Sequence, residues 1–301
     1  MSKITTLQIG GPAKDFRIVH TEQELLDLIK NNPDFLIIGG GSNLLVSDEG
    51  IDKLVIRNKI QGISTSQESG PTCEVMVKSG TSLQDLVDFT IAHELAGLQK
   101  LTGIPGTVGG AVYGNAGAYG QTISDNLIKV VILSERSESK DLSRDQCQFH
   151  YRDSIFKKNK SIILEVTFQF ENAEPAELKK EAEEVLAKRL VKYPPGIKCP
   201  GSFFKNIIAE TLPKEILEKV SDKIIYGKLP AGSLLEEVGA KGDFLDNIYI
   251  ADYHANLFIN KGGGTAQAFY DLAKKYAQLV KEKFDITLEP EVQLINLPPV
   301  I

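Results

Sequence analysis

Two glycine-rich segments constrain this chain more than any other feature of its sequence. The first, residues 39–43, directly follows an apolar stretch, and the second runs through residues 103–120. The second is too dense in glycine for a regular helix interior, yet its apolar spacing is too ordered for a flexible linker. We therefore expect another chain segment or a ligand to approach its backbone closely.

Taken alone, residues 39–43 are a weak signal. Successive glycine N–H groups at a strand end can form a nest for a pyrophosphate, but a tight structural turn explains the segment better. It is not the GxGxxG dinucleotide fingerprint, because Leu44 occupies the place of the last glycine and no helix pattern follows.

Together, two such segments in one domain indicate a long cofactor that carries phosphate. Glycine allows the backbone to contact a flat ring and a pyrophosphate, while Thr107, Asn115 and Tyr119 supply hydrogen-bonding groups. A buried crossing of chain segments is the alternative interpretation.

The composition is that of an ordinary globular protein. Of 301 residues, 42% are hydrophobic and 25% are charged, and a chain of this length forms two domains more often than one. The formal net charge is -6, and Lys and Arg are scattered, so no basic stripe could neutralise a phosphate backbone. We expect no nucleic-acid partner, although a locally basic pocket could still bind an anionic small molecule.

No signal-peptide pattern follows Met1, and no stretch approaches the roughly 18 apolar residues that span a bilayer. These features predict a cytoplasmic protein without a membrane partner. Cys73, Cys147 and Cys199 are far apart and form neither a CxxC pair nor a Cys/His cluster, so we expect reduced thiols and no metal site. Cys199 lies near a motif described below, but no histidine stands near it in sequence, which favours a bystander thiol over a nucleophile.

Apolar spacing and capping residues predict four main helices. The third is expected to face the core with Leu178, Ala182, Val185 and Leu186. The predicted starts are Thr21 with its capping-box partner Glu24, Thr81 or Ser82, Pro175, and Thr265.

Runs of apolar or alternating residues predict the strands. In the last of them, Glu165, Thr167 and Gln169 are expected to point away from the core. A Tyr-Pro-Pro-Gly sequence at 193–196 marks a change of domain, and the mixed short elements after it indicate an α+β unit. The predicted strands are 35–38, 44–46, 54–56, 73–77, 128–133 and 162–170.

Six motifs follow one another along the chain: GGGSNLLV (39–46), GIPGTVGGA (103–111), YRDSIF (151–156), GSFFKN (201–206), HAN (254–256) and LEPEV (288–292). Together, in register from about Gly10 to Val292, they resemble the UDP-N-acetylenolpyruvoylglucosamine reductase family. Six matches in order over nearly the whole chain are far more specific than any one of them. The segment between Arg152 and the strand at 162–170 is short, which resembles the shorter, type II subfamily.

The resemblance implies an α+β fold with two domains. Residues 1–192 would form an FAD-binding domain of the PCMH/vanillyl-alcohol oxidase type, with two α/β subdomains. Residues 193–301 would form a smaller C-terminal α+β domain for the UDP-sugar, with the last strand returning to the active site. The chain is expected to be a monomer.

The resemblance also implies the chemistry. In the family, NADPH reduces a noncovalent FAD and leaves. UDP-N-acetylglucosamine enolpyruvate then receives hydride from the flavin and a proton from a serine, and UDP-N-acetylmuramate, a peptidoglycan precursor, is the product. By this resemblance Arg152 binds the substrate carboxylate and the developing charge, Ser202 donates the proton, and Glu291 polarises the arrangement by hydrogen bonding or acts as an acid.

These three roles suit the residue types, although none would be chosen without the family. The planar guanidinium of Arg152 matches a carboxylate. A serine is a weak acid, so Ser202 needs to be held beside the carbanion and its conjugate base stabilised, by Lys205 or a water chain. From composition alone, Ser202 would be a helix cap or turn, Arg152 a surface ion pair and Glu291 part of a solvated strand end.

The remaining site residues also follow from the matched motifs. His254 is interpreted as structural. The residues expected at the substrate are Tyr151, Lys205, Asn206 and Lys241. Those expected at the FAD are Gly39, Gly40, Gly41, Ser42, Asn43, Leu44, Gly103, Pro105, Gly106, Thr107, Gly109, Gly110, Ala111, Asn115, Ala116, Gly117 and Ala118.

Three positions depart from the family pattern. Gln8 and Gln293 stand where arginine is usual, and Ile207 where proline often follows Lys-Asn. Because the three chemistry-bearing residues remain, we expect an active enzyme. The alternatives are another FAD oxidoreductase on the same scaffold and a silent binder of flavin or nucleotide sugar. Covalent attachment through histidine, common in such oxidases, has no candidate in the glycine-rich segments.

Overall fold

A computed structural model describes residues 1–66, 72–134, 138–159 and 161–300. Its α-helices are α1 (Glu22–Asn31), α2 (Leu83–Ala92), α3 (Val108–Gly114), α4 (Pro175–Lys192), α5 (Lys214–Val220), α6 (Ala231–Glu237) and α7 (Ala266–Phe284). Its strands are β1 (Ala13–Val19), β2 (Phe35–Ile38), β3 (Leu44–Val46), β4 (Ile51–Asn58), β5 (Ile63–Thr65), β6 (Thr72–Lys78), β7 (Leu95–Ala96), β8 (Gly117–Ala118), β9 (Gln121–Thr122), β10 (Leu127–Leu133), β11 (Ser139–Ser143), β12 (Ile162–Asn172), β13 (Ile207–Ile208), β14 (Lys228–Leu229), β15 (Phe244–Leu245), β16 (Ile248–Ile250), β17 (Phe258–Asn260) and β18 (Gln293–Ile295).

The chain forms two compact units. A central unit comprises Asp15–Gly40 and Lys53–Pro195, and a C-terminal unit comprises Met1–Lys14, Gly41–Asp52 and Gly196–Ile301. The mixture of helices and strands agrees with the predicted α+β class. The division differs from two contiguous blocks because two N-terminal segments cluster with the C-terminal unit. Within that unit β3 pairs in parallel with β18, which explains why the segment around β3 belongs there.

The central unit contains two sheets. β2 and β4 run parallel in a sheet of order β1-β4-β2, and α1 packs its buried Leu25 and Ile29 into the associated core. An antiparallel sheet of order β11-β10-β12-β6-β5, with β7 on β12, forms the larger part. Two α/β subdomains were expected here, and the two sheets give that arrangement. The core beneath α1 also includes Leu133, Ile162 and Leu164 of the larger sheet.

Two helix starts in the central unit agree with the predicted capping residues, whereas α2 begins after Ser82 without a capping hydrogen bond from that side chain. Thr21 and Glu24 form a complete capping box, and α4 begins at Pro175. Two orientation predictions are wrong. Thr167 is buried because it is a short side chain whose cross-strand neighbours on the same face, Lys129 of β10 and Met76 of β6, are longer. Leu186 is 36% exposed because it lies beside the buried stripe of α4.

The C-terminal unit packs around α7 and a cluster of phenylalanines. Thr265 caps α7 through its side chain, as predicted, and Asp48 accepts further hydrogen bonds from the first helical N–H groups. The rings of Phe203 and Phe204 lie 4.7 Å apart, and the Phe203 ring centroid lies 5.6 Å from that of Phe258. Both residues that follow Ser202 are therefore anchored in the core. Replacing a buried phenylalanine by alanine typically lowers the free energy of unfolding by about 3–5 kcal/mol.

Candidate functional site

The two glycine-rich segments meet within the central unit. A Cβ atom built on Gly40 would lie 2.7 Å from the Cα of Gly106, and one on Gly39 would lie 2.2 Å from Oγ1 of Thr107. Such distances are well inside van der Waals contact, so neither position accepts a side chain without movement. The close approach expected from the sequence is therefore present, and part of it is a crossing of chain segments.

The second glycine-rich segment is anchored on the loop between β6 and α2. The N–H of Gly109 donates to the carbonyl of Ser79 at 2.8 Å, and the N–H of Val108 donates to that of Thr81 at 2.9 Å. A Cβ on Gly80 would lie 2.5 Å from the amide nitrogen of Ile60, so this loop also requires glycine. Sequence reasoning missed the loop as part of the site; the lone Gly80 after a strand was its only signal.

A short helix, α3, lies inside the segment that seemed too rich in glycine for one. Thr107 caps it by accepting from the N–H of Gly110 at 3.3 Å, and Val108 and Val112 are buried beneath it. Each glycine in a helix costs about 1 kcal/mol relative to alanine. Capping and buried apolar contacts offset that cost here, which corrects the expectation from sequence.

The residue that ends α3 carries an unsatisfied acceptor. Asn115 adopts a left-handed conformation and donates from Nδ2 to the carbonyl of His150 at 2.8 Å. Its Oδ1 is buried and has no hydrogen-bond partner among the described residues. Buried polar atoms are nearly always satisfied, so this atom indicates a group that the protein alone does not supply.

The open side of α3 fits a flat group bound by backbone. A Cβ on Gly114 would meet nothing within 4 Å, and one on Gly110 would meet nothing nearer than 3.5 Å. One face of the second glycine-rich segment is thus closely packed against neighbouring chain segments, and another face is open. The open glycines, the caps and the orphan acceptor of Asn115 together fit the ring and phosphates of an FAD. The individual FAD contacts remain predictions.

Arg152 is joined to this glycine-rich segment. Its Nη2 donates to the carbonyl of Gly117 at 2.6 Å, and its guanidinium lies 5.3 Å from the ring of Tyr151. The backbone of Arg152 has a φ of 54°, a region that costs a non-glycine residue about 1 kcal/mol or more. Lys157 donates from Nζ to the Arg152 carbonyl at 2.7 Å, which holds the strained turn in place.

The same turn is packed against α3 through Tyr113 and Ser154. Oγ of the fully buried Ser154 donates to the carbonyl of Tyr113 at 2.7 Å. Burial, with a smaller contribution from the Asp153 carboxylate, raises the pKa of the Tyr113 phenol. Tyr113 therefore stays neutral and contributes a phenol rather than a charge near Arg152.

Ser202 and Glu291 lie on neighbouring segments of the C-terminal unit. The N–H of Glu291 donates to the carbonyl of Phe203 at 2.7 Å, and Phe204 forms a bridge with Pro290. On the other edge, Ser202 forms a bridge with Leu257. The segment that carries Ser202 is thus held between two others, one of which carries Glu291.

Asn43 contacts the Glu291 segment rather than acting only as part of a glycine nest. Its Nδ2 donates to the carbonyl of Glu291 at 3.0 Å, and the N–H of Gln293 donates to the Asn43 carbonyl at 2.9 Å. Gly41 has a φ of 68°, and a Cβ there would lie 2.7 Å from the carbonyl oxygen of Ile4. Ser42 and Leu44 flank Asn43 in the same unit, and their predicted FAD contacts remain predictions.

The predicted substrate residues of the C-terminal unit have partners of their own. Lys205 pairs with Glu289 at 2.5 Å and is 15% exposed, so its ammonium lies on that carboxylate. Oδ1 of Asn206 accepts from the N–H of Ala231 at 3.2 Å. The contacts of the remaining member, Lys241, include an ion pair with Glu236 at 2.5 Å.

Two further residues lie beside these segments and were not predicted from the sequence. Asn256 is buried and bonds the backbone of the residues after Ser202. Arg189, in the last turn of α4, lies against the glycine-rich segment, since a Cβ on Gly103 would be 3.3 Å from its Nε. The HAN motif was a signal for Asn256, whereas Arg189 looks like an ordinary basic residue at a helix end.

The three cysteines, Cys73, Cys147 and Cys199, are all buried. Burial raises the pKa of the Cys147 thiol to about 11. Among the described residues, no group of three or more His, Cys, Asp or Glu side chains is arranged to hold a metal ion. Within the same residues, no helix combines the length and apolarity needed to cross a bilayer.

Comparisons with known proteins cover nearly the whole chain. The profile of the family described as the UDP-N-acetylenolpyruvoylglucosamine reductase C-terminal domain matches residues 193–295, and that described as FAD binding domain matches residues 16–142. UDP-N-acetylenolpyruvoylglucosamine reductase from Solibacter usitatus is 39% identical over 98% of this chain and 95% of its own. The enzyme of that name from Bacillus licheniformis is 35% identical over 98% and 92%.

A solved structure is similar over the same extent. The crystal structure of UDP-N-acetylenolpyruvylglucosamine reductase from Thermus caldophilus superposes with a TM-score of 0.76 at 28% identity. The match covers 98% of this chain and 96% of that one, so it includes both units.

Proposed function

The chain belongs to the UDP-N-acetylenolpyruvoylglucosamine reductase family, and on that basis we propose how Arg152, Ser202 and Glu291 divide the work of its reaction. The reaction is the FAD-dependent reduction of UDP-N-acetylglucosamine enolpyruvate to UDP-N-acetylmuramate, a step of peptidoglycan precursor synthesis. When bound, FAD supplies the chemistry of accepting hydride from NADPH and delivering it to the enolpyruvyl group. The protein supplies binding, charge stabilisation and a proton.

Charge stabilisation falls to Arg152. Addition of hydride to the terminal carbon of the enol ether leaves carbanion character on the carbon that bears the carboxylate. Arg152 binds that carboxylate and stabilises the enolate-like charge, because a guanidinium offers a permanently charged, planar fork. Its anchoring to Gly117 and Lys157 supports this role, since an arginine that is already oriented loses less entropy on binding.

Proton delivery falls to Ser202. The hydroxyl gives its proton to the carbanion carbon, and Glu291 polarises the group by hydrogen bonding or donates as an acid. The observation that carries this proposal is the 2.7 Å hydrogen bond from the N–H of Glu291 to the carbonyl of Phe203. It fixes the segment with the proposed carboxylate beside the segment with the proposed donor. Lys205 is occupied with Glu289, which favours a water chain over Lys205 behind Ser202.

The finer features of the proposal concern the electron donor and the cellular setting. We assign NADPH as the electron donor, and we place a monomeric enzyme in the cytoplasm, where its sugar-nucleotide substrate serves cell-wall synthesis and hence cell shape and division. Light scattering after size-exclusion chromatography checks the monomer, and flavin reduction rates with NADPH and NADH check the donor.

Separation of the two half-reactions tests the role of Ser202. In Ser202→Ala, anaerobic flavin reduction by NADPH should proceed at the wild-type rate, while reoxidation by the enolpyruvyl substrate should slow by about 10²–10⁴-fold, the usual contribution of a positioned acid. Equal slowing of both half-reactions would remove Ser202 from proton delivery. Glu291→Gln should impair the second half-reaction with flavin still bound.

A further inference from the structure

One buried amide side chain bonds the backbone directly after Ser202. Asn256 is 2% exposed and supplies three hydrogen bonds to the two residues that follow the serine. Its carbonyl accepts from the N–H of Phe203 at 3.0 Å. Its side chain accepts from the N–H of Phe204 through Oδ1 and donates to the carbonyl of Phe204 through Nδ2, both at 2.8 Å.

The orientation of this amide is fixed by chemistry. A backbone N–H can only donate and a carbonyl can only accept, so Oδ1 and Nδ2 of Asn256 cannot exchange places. Asn256 therefore mimics one rung of a β-ladder, in one orientation, at Phe204.

Directly before Ser202, Gly201 has a φ of 91°, and a Cβ there would meet nothing within 4 Å. An earlier anchor is the Cys199 carbonyl, which accepts from Oγ1 of Thr6 at 3.0 Å. Directly after Ser202, the backbone N–H and carbonyl groups of Phe203 and Phe204 are all hydrogen-bonded. Asn256 holds those residues on one edge. The segment of Glu289 and Glu291 holds the chain on the other edge through two hydrogen bonds. One runs from the Lys205 N–H to the Glu289 carbonyl at 2.9 Å, and the other from the Glu291 N–H to the Phe203 carbonyl at 2.7 Å.

We propose that Asn256 is the positioning residue for Ser202, and that it sets the register between the serine and Glu291. This inference rests on the proposed role of Ser202 as proton donor. A weak acid is effective only when its hydroxyl is held beside the carbon that it protonates, and a displacement of about 1 Å can cost 10²-fold in rate. The bidentate amide supplies that restraint from a position without a titratable group.

The test is a double-mutant cycle on the second half-reaction. Asn256→Asp keeps the acceptor for Phe204 N–H and replaces the donor with an oxygen that repels the Phe204 carbonyl. Its flavin content and its reduction by NADPH should match wild type, whereas reoxidation by the enolpyruvyl substrate should slow by about tenfold or more. Added to Ser202→Ala, the change should slow reoxidation no further, because it acts through the serine.

Asn260→Asp is the matched control. Asn260 is equally buried, at 3%, and its amide also bonds backbone: Nδ2 donates to the carbonyl of Leu7, and Oδ1 accepts from the N–H groups of Gly262 and Gly264. It carries the same chemical change and a similar stability cost but does not bond the two residues after Ser202. Its two half-reactions should therefore change, if at all, by the same factor.

The outcomes separate the two proposals. If Ser202→Ala leaves reoxidation unchanged, the role proposed for Ser202 fails. If Ser202→Ala slows reoxidation but Asn256→Asp slows both half-reactions alike, or multiplies the effect of Ser202→Ala, the positioning role fails. Should Asn256→Asp not retain flavin, the uncharged Asn256→Ala enters the same cycle, with the same outcomes for and against.

Discussion

Alanine at Gly40 tests whether the meeting of the two glycine-rich segments creates the cofactor site. The new Cβ would lie 2.7 Å from the Cα of Gly106, about 1 Å inside the optimum carbon–carbon separation of roughly 3.5–4.0 Å. The position of a Cβ is fixed by its own backbone and the Gly106 atoms that it meets are backbone, so no rotamer change can relieve the clash. Such overpacking typically costs about 1–3 kcal/mol, whether the strain is retained or relieved by parting the two segments.

The assay compares FAD affinity and stability for two alanine variants. Gly62→Ala is the control, because Gly62 lies in the same unit and its Cβ would meet only Cγ of Lys78 at an ordinary 3.5 Å. Fluorescence titration of apoprotein with FAD should show Gly40→Ala weaker by about 5–150-fold if the segments part, the equivalent of about 1–3 kcal/mol. If they do not part, its apoprotein should lose the same free energy in chemical denaturation. Equality of the two variants in both measurements would refute the reasoning.

Three further predictions concern single side chains. Lys157→Met should slow flavin reoxidation by the enolpyruvyl substrate several-fold and leave reduction by NADPH unchanged, because it removes the hydrogen bond to the Arg152 carbonyl. Lys158→Met, at an exposed neighbour, should change neither rate. Equal effects of the two variants in stopped-flow traces would count against the anchoring of Arg152 by Lys157. Because its pKa is about 11, only about 10⁻³ of Cys147 is thiolate at pH 8, so peptide mapping after iodoacetamide should find it unmodified in native protein and modified in denaturant. Asp243→Asn should lower the free energy of unfolding at pH 7 by about 1 kcal/mol at most, with the difference disappearing below about pH 4; a difference that persists in acid would contradict the ion pair.

The sign of the last prediction follows from the partners of Asp243. A hydrogen bond from Lys275, which has the largest effect, and one from Tyr276 lower the pKa of this carboxyl in the folded state. A carboxyl with a lowered pKa stabilises the fold above its unfolded-state pKa and loses that contribution as the pH falls through the folded-state value. Asparagine cannot titrate, so wild type and variant converge in acid.

Local signals in the sequence predicted much of the fold. The capping box at Thr21, the proline that begins α4 and the cap at Thr265 each mark a helix start through contacts within one turn, which a linear sequence records directly. The exposure of Thr167 was predicted wrongly because it depends on neighbouring strands. Thr167 alternates as an outward residue, but Lys129 of β10 and Met76 of β6 flank it on the same face, and the linear pattern does not record that pairing.

Contacts between distant residues were out of reach of the sequence. The amide of Asn43 bonds a carbonyl 248 positions away, and that of Asn256 bonds a residue 52 positions away. Neither leaves a periodic pattern, since a bond between a side chain and a distant backbone depends on the register of whole segments. Residues of the site could be identified only through the family motifs. The contacts among those residues follow only from the three-dimensional structure.

The central claim is that this chain carries out both half-reactions of the reductase through bound FAD. The most direct measurement is the absorbance spectrum of the purified protein under anaerobic conditions, first with NADPH and then with UDP-N-acetylglucosamine enolpyruvate. The account predicts flavin bands that bleach with NADPH and return with the sugar nucleotide. Bands that bleach and do not return, or a protein that binds no flavin even after reconstitution, would contradict it.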